Sequence, residues 1–184
     1  VKELVRRGRV LLDGVPAVSP EQKIDPETAD IRVDGETVSY RRFTYVLLHK
    51  PAGVLSAVED SRQRTVLDLL PQELKRQGLS PVGRLDKDTE GLLLLTDDGE
   101  LTHRLLSPKY HVDKVYYARV DGVPDAADAA AFAAGLLLGD GLQCLPAKLE
   151  LLGGDACLVT LREGKFHQVK RMLASRGKPV LYLK

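Results

Sequence analysis

A chain of 184 residues, 43% of them hydrophobic, has material for one full domain with a real core and a small added module. It has no apolar run of membrane-span length and no signal-type apolar core at its front. Two cysteines, Cys144 and Cys157, lack metal or redox spacing, so a cytoplasmic protein with no membrane partner is expected. The net charge is only +1, so any affinity for a polyanion depends on where the charges lie.

Residues 1–41 read as a separate module. Lys2 to Arg7 can finish a helix that Gly8 stops, and Arg9 to Leu12 begins a strand. Asp13-Gly14 and Asp34-Gly35 are hairpin turn pairs between β-formers. Arg41-Arg42 mark a hinge, and residues 42–184 form the second domain. Phe43 to Lys50 is a strand ended by the Pro51-Ala52-Gly53 turn. Val66 to Leu70 is a short helix, and Pro71 to Gly78 a polar connection. Leu92 to Leu95, bounded by Gly91 and by Asp97-Asp98-Gly99, is too short for a capped helix and reads as a strand buried on both faces. A brief helix, Glu100 to Leu106, ends at Ser107-Pro108, and a basic, aromatic loop from Lys109 to Asp113 follows. Lys114 to Val120 is a strand, with Tyr117 facing away from Tyr116 and packing. Asp125 caps an alanine-rich scaffold helix that ends at Gly135. Ala147 to Leu152 and Ala156 to Leu161 form a hairpin. A helix from about Phe166 puts Val169, Met172 and Leu173 on an apolar face, and His167, Lys170, Arg171 and Ala174 on another. Gly177 and Pro179 close it before a strand from Val180 to Leu183.

Three stretches concentrate polar chemistry. Arg84 to Glu90 crowds five charges ahead of the leucine strand, and from the residues alone it is either a loop that holds Asp86 rigidly or a solvated turn. Tyr116 is either a functional phenol or a half-buried strand residue. Lys2, Arg6, Arg7 and Arg9 at one end, with Arg162, Lys165, His167, Lys170, Arg171, Arg176 and Lys178 near the other, fit a polyanion or an ordinary surface. The four histidines are scattered and form no metal pattern with the cysteines.

Taken together, these segments resemble a known family. Gly83-Arg84-Leu85-Asp86, continuing through Thr89, Gly91-Leu92-Leu93 and Thr96 to Leu105, resembles the active-site segment of pseudouridine synthases. Lys50-Pro51-x-Gly53 is similar to the turn that opens their catalytic domain, and Asp113-Lys114-Val115-Tyr116 to their second motif. Glu163-Gly164-x-x-His167-Gln168-Val169-Lys170-Arg171-Met172 resembles the third. Residues 2–14 and 30–35 resemble the second half of an S4 domain, a compact RNA-binding fold, so the branch that modifies ribosomal RNA is the one indicated. The resemblance implies an α+β chain: a small S4-like RNA-binding module, incomplete at its start, then a pseudouridine-synthase domain with a mixed, largely antiparallel sheet flanked by helices. It implies Asp86 as nucleophile, Tyr116 as a catalytic or stacking residue, and Lys170 as the cation paired with Asp86. Arg84, His167, Arg171, Arg6, Arg7 and Arg9 are implied to contact RNA. The partner is then ribosomal RNA or a pre-ribosomal particle, met by a monomer.

The implied reaction breaks an N-glycosidic bond, turns the base and rejoins it through carbon, with no net redox change, so no cofactor is expected. A carboxylate can act there as nucleophile or stabilise a cationic sugar. Attack on sugar, attack on base and a glycal route all stay open. The segments Ser107 to His111 and His167 to Met172 look most like the small-subunit rRNA subgroup, with large-subunit rRNA second. Two other classes remain: a noncatalytic ribosome-assembly protein on the same scaffold, and a carboxylate glycosidase using Asp86 with Glu90. The lack of Trp and the three Phe count against a sugar platform.

Overall fold

The computed structural model describes residues 1–38, 40–75, 78–110 and 112–184, with Pro108 described by its backbone. His111 of the predicted basic loop, and Arg76 and Gln77 of the predicted polar connection, lie outside these residues. The chain forms two compact units, Val1–Arg42 and Phe43–Lys184.

In the first unit, helix α1 (Lys2–Arg6) ends where Gly8 takes a positive φ of 66°. Strands β1 (Val10–Leu12), β2 (Val15–Pro16), β3 (Ile31–Val33) and β4 (Glu36–Thr37) form an antiparallel sheet in the order β2-β1-β3-β4. Its two hairpins turn on Asp13-Gly14 and Asp34-Gly35. All four residues have positive φ, the geometry that suits two-residue turns to the twist of the strands.

The second unit has two antiparallel sheets. Strand β5 (Tyr45–Lys50) pairs with β7 (Gly91–Thr96), which also pairs with β6 (Ser80–Pro81). One face of this sheet, with Val46, Leu48, Leu93 and Leu95, packs on a 3-10 turn (Val66–Leu69) and on Leu74 of the one-turn helix α2 (Gln72–Lys75). The other sheet has the order β11-β8-β10-β9, from β8 (Lys114–Val120), β9 (Lys148–Gly153), β10 (Ala156–Leu161) and β11 (Val180–Leu183). Its core takes Phe132 from α4 (Ala126–Ala134) and Val169, Met172 and Leu173 from α5 (Gln168–Ser175). Helix α3 (Gly99–Leu106) is capped by Asp98, whose side chain accepts from the Leu101 N–H. No helix among the described residues is long and apolar enough to cross a membrane.

Three expectations are corrected. The leucine strand is buried on one face only: Leu93 and Leu95 are inside, whereas Leu92 is 74% exposed, because an antiparallel sheet covered on one side alternates in and out. The sheets are not mixed, since every pairing between named strands is antiparallel. Helix α5 starts at Gln168 rather than near Phe166, because His167 takes a left-handed conformation, φ 49° and ψ 33°, that helix cannot continue through.

The two sheets meet behind the charged loop. The Glu90 N–H donates to the Leu183 carbonyl at 3.2 Å, and the Tyr182 hydroxyl donates to the Glu90 carboxylate at 2.9 Å. Gly91 has a φ of 120°, and a Cβ there would stand 3.3 Å from Lys184 Cγ, so glycine suits this junction on both counts.

Candidate active site

The loop from Gly83 to Glu90 is held by its backbone. The Ser56 hydroxyl donates to the Leu85 carbonyl at 2.9 Å and accepts from the Leu85 N–H at 3.1 Å. The Gly53 N–H donates to the Lys87 carbonyl at 2.7 Å. Beneath the loop lies Lys50, fully buried. Its ammonium donates to the carbonyls of Pro51, Asp86, Lys87 and Thr89 at 3.1, 3.0, 3.2 and 2.8 Å. Burial pushes the Lys50 pKa down, while the negative charges of Asp88, Asp86 and Glu90 oppose that. A lysine surrounded by carbonyl oxygens draws two stretches of backbone to one point and fixes where Asp86 projects. The role of Lys50 was missed in the sequence. The available signal was its register, since Val46, Leu48 and Lys50 alternate onto the core face of β5.

Asp86 projects from that support, its side chain 25% exposed. Lys170 Nζ lies 3.1 Å from Asp86 Oδ2, and His167 Nε2 lies 3.6 Å from Oδ1. Lys170 also donates to Asp88 Oδ1 at 2.5 Å, so one ammonium bridges two carboxylates of the same loop. Burial alone would lower the Lys170 pKa. The two carboxylates outweigh it and hold the ammonium above the ordinary lysine range. The same hydrogen bond from Lys170 keeps Asp88 below the usual carboxylate range. Asp88 was not singled out in the sequence, although it sits two positions beyond Asp86.

Tyr116 enters from β8, partly buried against the second core. Burial, and then the charge of Asp86, raise its pKa above the ordinary phenol value, so its oxygen keeps a proton to donate. Its neighbour Tyr117 packs edge-on against Tyr182 at 6.3 Å between ring centroids.

Helix α5 sets the position of Lys170. The buried Gln168 accepts from the Lys165 N–H at 2.9 Å and donates to Glu163 Oε1, which also accepts from the Leu145 N–H at 2.8 Å. The apolar face of α5 is buried, and Lys170 faces the loop.

The structure therefore brings Asp86, Lys170 and His167 together, with Tyr116 near enough for the charge of Asp86 to raise its pKa. Arg84 is exposed and makes no ion pair or hydrogen bond among the described residues. Arg171 is tied to Asp140 at 2.5 Å. Other basic residues near the end of the chain are paired as well: Arg162 pairs with Asp113, and Arg176 and Lys178 both pair with the buried Asp128. These partners lie 31 to 50 positions away in sequence, beyond the reach of local charge counting. Arg6 and Arg7 pair with Glu3, and Arg9 with Asp34, all on the surface of the first unit.

Residues 44–175 match the model of the RNA pseudouridylate synthase family. The chain is 40% identical to a ribosomal small subunit pseudouridine synthase A of Vibrio cholerae, over 98% of this chain and 78% of that one. It is 37% identical to a ribosomal large subunit pseudouridine synthase B of Bacillus subtilis, over 100% of this chain and 76% of that one. A crystal structure of a pseudouridylate synthase superposes with a TM-score of 0.72 at 35% identity, covering 99% of this chain and 78% of the other. An antiparallel α/β unit that holds an aspartate beside a lysine and a histidine agrees with those matches, and the chain belongs to the RNA pseudouridine synthase family.

Proposed function

We propose that this synthase isomerises a specific uridine of ribosomal RNA, with Asp86 as the nucleophile. The observation that carries the reading is the Asp86 carboxylate held 3.1 Å from Lys170 over a loop anchored on buried Lys50. Lys170 keeps a positive charge beside Asp86 throughout turnover. The Tyr116 hydroxyl, protonated at neutral pH, orients the base or sugar by donating a hydrogen bond. His167 and Arg84 contact RNA around the flipped nucleotide, and Arg171 does so while paired with Asp140. The small-subunit RNA is the first choice, on the likeness of the Ser107–His111 and His167–Met172 segments. The large-subunit RNA is the second, supported by the Bacillus relative. Asp86, Tyr116 and Lys170 come from one chain, which supports action as a monomer, and the buried free thiols of Cys144 and Cys157 support a reducing cytoplasm.

The test is tritium release from transcripts of small- and large-subunit RNA carrying 5-[3H]uridine, followed by mapping of the modified position. Release from the small-subunit transcript alone is expected. Release from the large-subunit transcript alone would replace the first choice by the second, and release from neither would defeat ribosomal RNA as substrate.

Tyr116→Phe is expected to bind a 5-fluorouridine RNA normally but to turn over about 10²-fold more slowly. The low end of the usual range applies because the raised pKa makes this hydroxyl a donor rather than a base. For the same reason its role should persist above pH about 10, where an ordinary phenol ionises. A Phe variant with a near wild-type single-turnover rate would leave Tyr116 as a packing or stacking residue.

Residues 1–41 are proposed to be the S4-like RNA-binding module, joined to a catalytic domain of residues 42–184. Its Arg6, Arg7 and Arg9 are engaged only in exposed ion pairs, which are weak and readily exchanged for phosphates. Replacing all three by Ala should flatten the salt dependence of RNA binding, by about 0.7 to 0.9 in log–log slope for each phosphate left without its arginine. Turnover at saturating RNA should be unchanged. An unaltered slope would mean that these arginines do not touch the RNA.

A further inference from the structure

The Phe166 side chain is 74% exposed. A single exposed apolar residue is ordinary by itself; the surroundings of this one are not. One face of the ring is covered by the His167 imidazole, with centroids 3.8 Å apart and planes 19° from parallel. His167 in turn stands 3.6 Å from Asp86, so the phenyl ring lies one side chain away from the candidate nucleophile. With one face stacked and the residue this exposed, the open face is the one turned away from His167.

The backbone that carries the ring is also held. The Phe166 carbonyl accepts a hydrogen bond from Arg171 at 3.4 Å, and Arg171 is itself fixed on Asp140. Left-handed backbone at His167 sets the angle at which Phe166 meets helix α5. Phe166 lines an open groove of about 570 Å³ together with Leu138, Asp140, Arg171, Ala174 and Ser175. The only opposite charges among those residues are paired with each other, so the groove is neutral and suits a base better than a phosphate.

We propose that the open face of Phe166 stacks on a nucleobase of the substrate RNA that neighbours the target uridine. The inference rests on the reading of this chain as an enzyme acting on a uridine in RNA, and adds to it a binding site for a second base. A uridine that swings out to Asp86 leaves its neighbours with an uncovered face, and an exposed aromatic ring beside the site can replace the lost stack. The imidazole of His167 extends the platform toward the reacting centre, so that flipped nucleotide and neighbour are held by consecutive residues.

Two measurements test this. The first is fluorescence anisotropy of a labelled short oligoadenylate, which needs no turnover. Phe166→Ala and Phe166→Leu should both weaken binding by about 5- to 150-fold, the range of one base–aromatic stack, while Phe166→Trp should bind at least as tightly as wild type. Leucine retains apolar bulk without a π face, so it separates stacking from simple apolar contact. Binding by the Ala or Leu variant within about twofold of wild type overturns the proposal. The second is tritium release from the ribosomal RNA transcripts, where Phe166→Ala should raise KM by a similar factor at unchanged kcat. A fall in kcat with KM unmoved also overturns it. If wild type releases no tritium from either transcript while the oligoadenylate contrast stands, the ribosomal substrate fails and the platform is upheld.

Discussion

Replacing Asp86 with asparagine is expected to leave a folded protein that binds RNA and turns over about 10⁴-fold or more slowly. The amide is nearly isosteric with the carboxylate, and the fold does not depend on the side chain it replaces. The hydrogen bonds that shape the loop run through the Asp86 carbonyl, which accepts from Lys50 at 3.0 Å, and through Leu85 and Lys87. Lys170 keeps its second partner, Asp88, and so stays in place. What disappears is the carboxylate proposed to attack carbon or to stabilise a cationic sugar. Single-turnover tritium release beside circular dichroism and RNA-binding controls makes the comparison. A folded variant within about tenfold of the wild-type rate would show that Asp86 is not the nucleophile.

Lys50→Met should produce a large loss of stability in the second unit. Methionine fills a similar volume but takes the ammonium from four carbonyl oxygens; those of Asp86 and Lys87 keep a backbone N–H donor from Thr89 and Gly53, while the buried Thr89 carbonyl loses its donor. Leaving buried polar groups unsatisfied in this way costs about 3 to 5 kcal/mol, roughly 10 °C in melting temperature for a chain of this size. Activity should fall further than folded fraction explains, because the same carbonyls belong to Asp86 and its neighbours. Thermal unfolding followed by circular dichroism, with turnover measured well below the transition, distinguishes the two effects. A melting temperature within about 2 °C of wild type would mean that the loop holds without the lysine.

The contrast between Asp86 and Lys50 bears on how much the sequence disclosed. Features set by local rules were legible: the paired turns at Asp13-Gly14 and Asp34-Gly35, the Asp125 cap of α4, the strand carrying Tyr116 and the apolar face of α5. Asp86 was singled out by the resemblance of its segment to the pseudouridine synthase motif, since a charged loop ahead of an apolar strand alone left a solvated turn open. Features set by long-range contacts were hidden. A lysine at the end of a strand says nothing of the carbonyls that fold over it from 36 to 39 positions later. Likewise, Arg176 and Lys178 read as surface charge until Asp128 is seen beneath them, and Lys170 was read with one carboxylate partner where the fold supplies two. The exposed Leu92 was missed because a run of four leucines carries no alternation by which to tell the two faces apart.

The left-handed backbone of His167 sets a limit on how far this protein can be improved as a material. A side chain in that region costs about 1 kcal/mol that glycine would not incur. Glycine at 167 would relax the turn, offset in part by its looser unfolded chain, and a screen for thermal tolerance alone could therefore select it. The same exchange removes the imidazole that faces Asp86 and backs Phe166. Stability and the RNA contact proposed for His167 thus pull in opposite directions at one residue, so a hardier variant should be sought elsewhere in the chain.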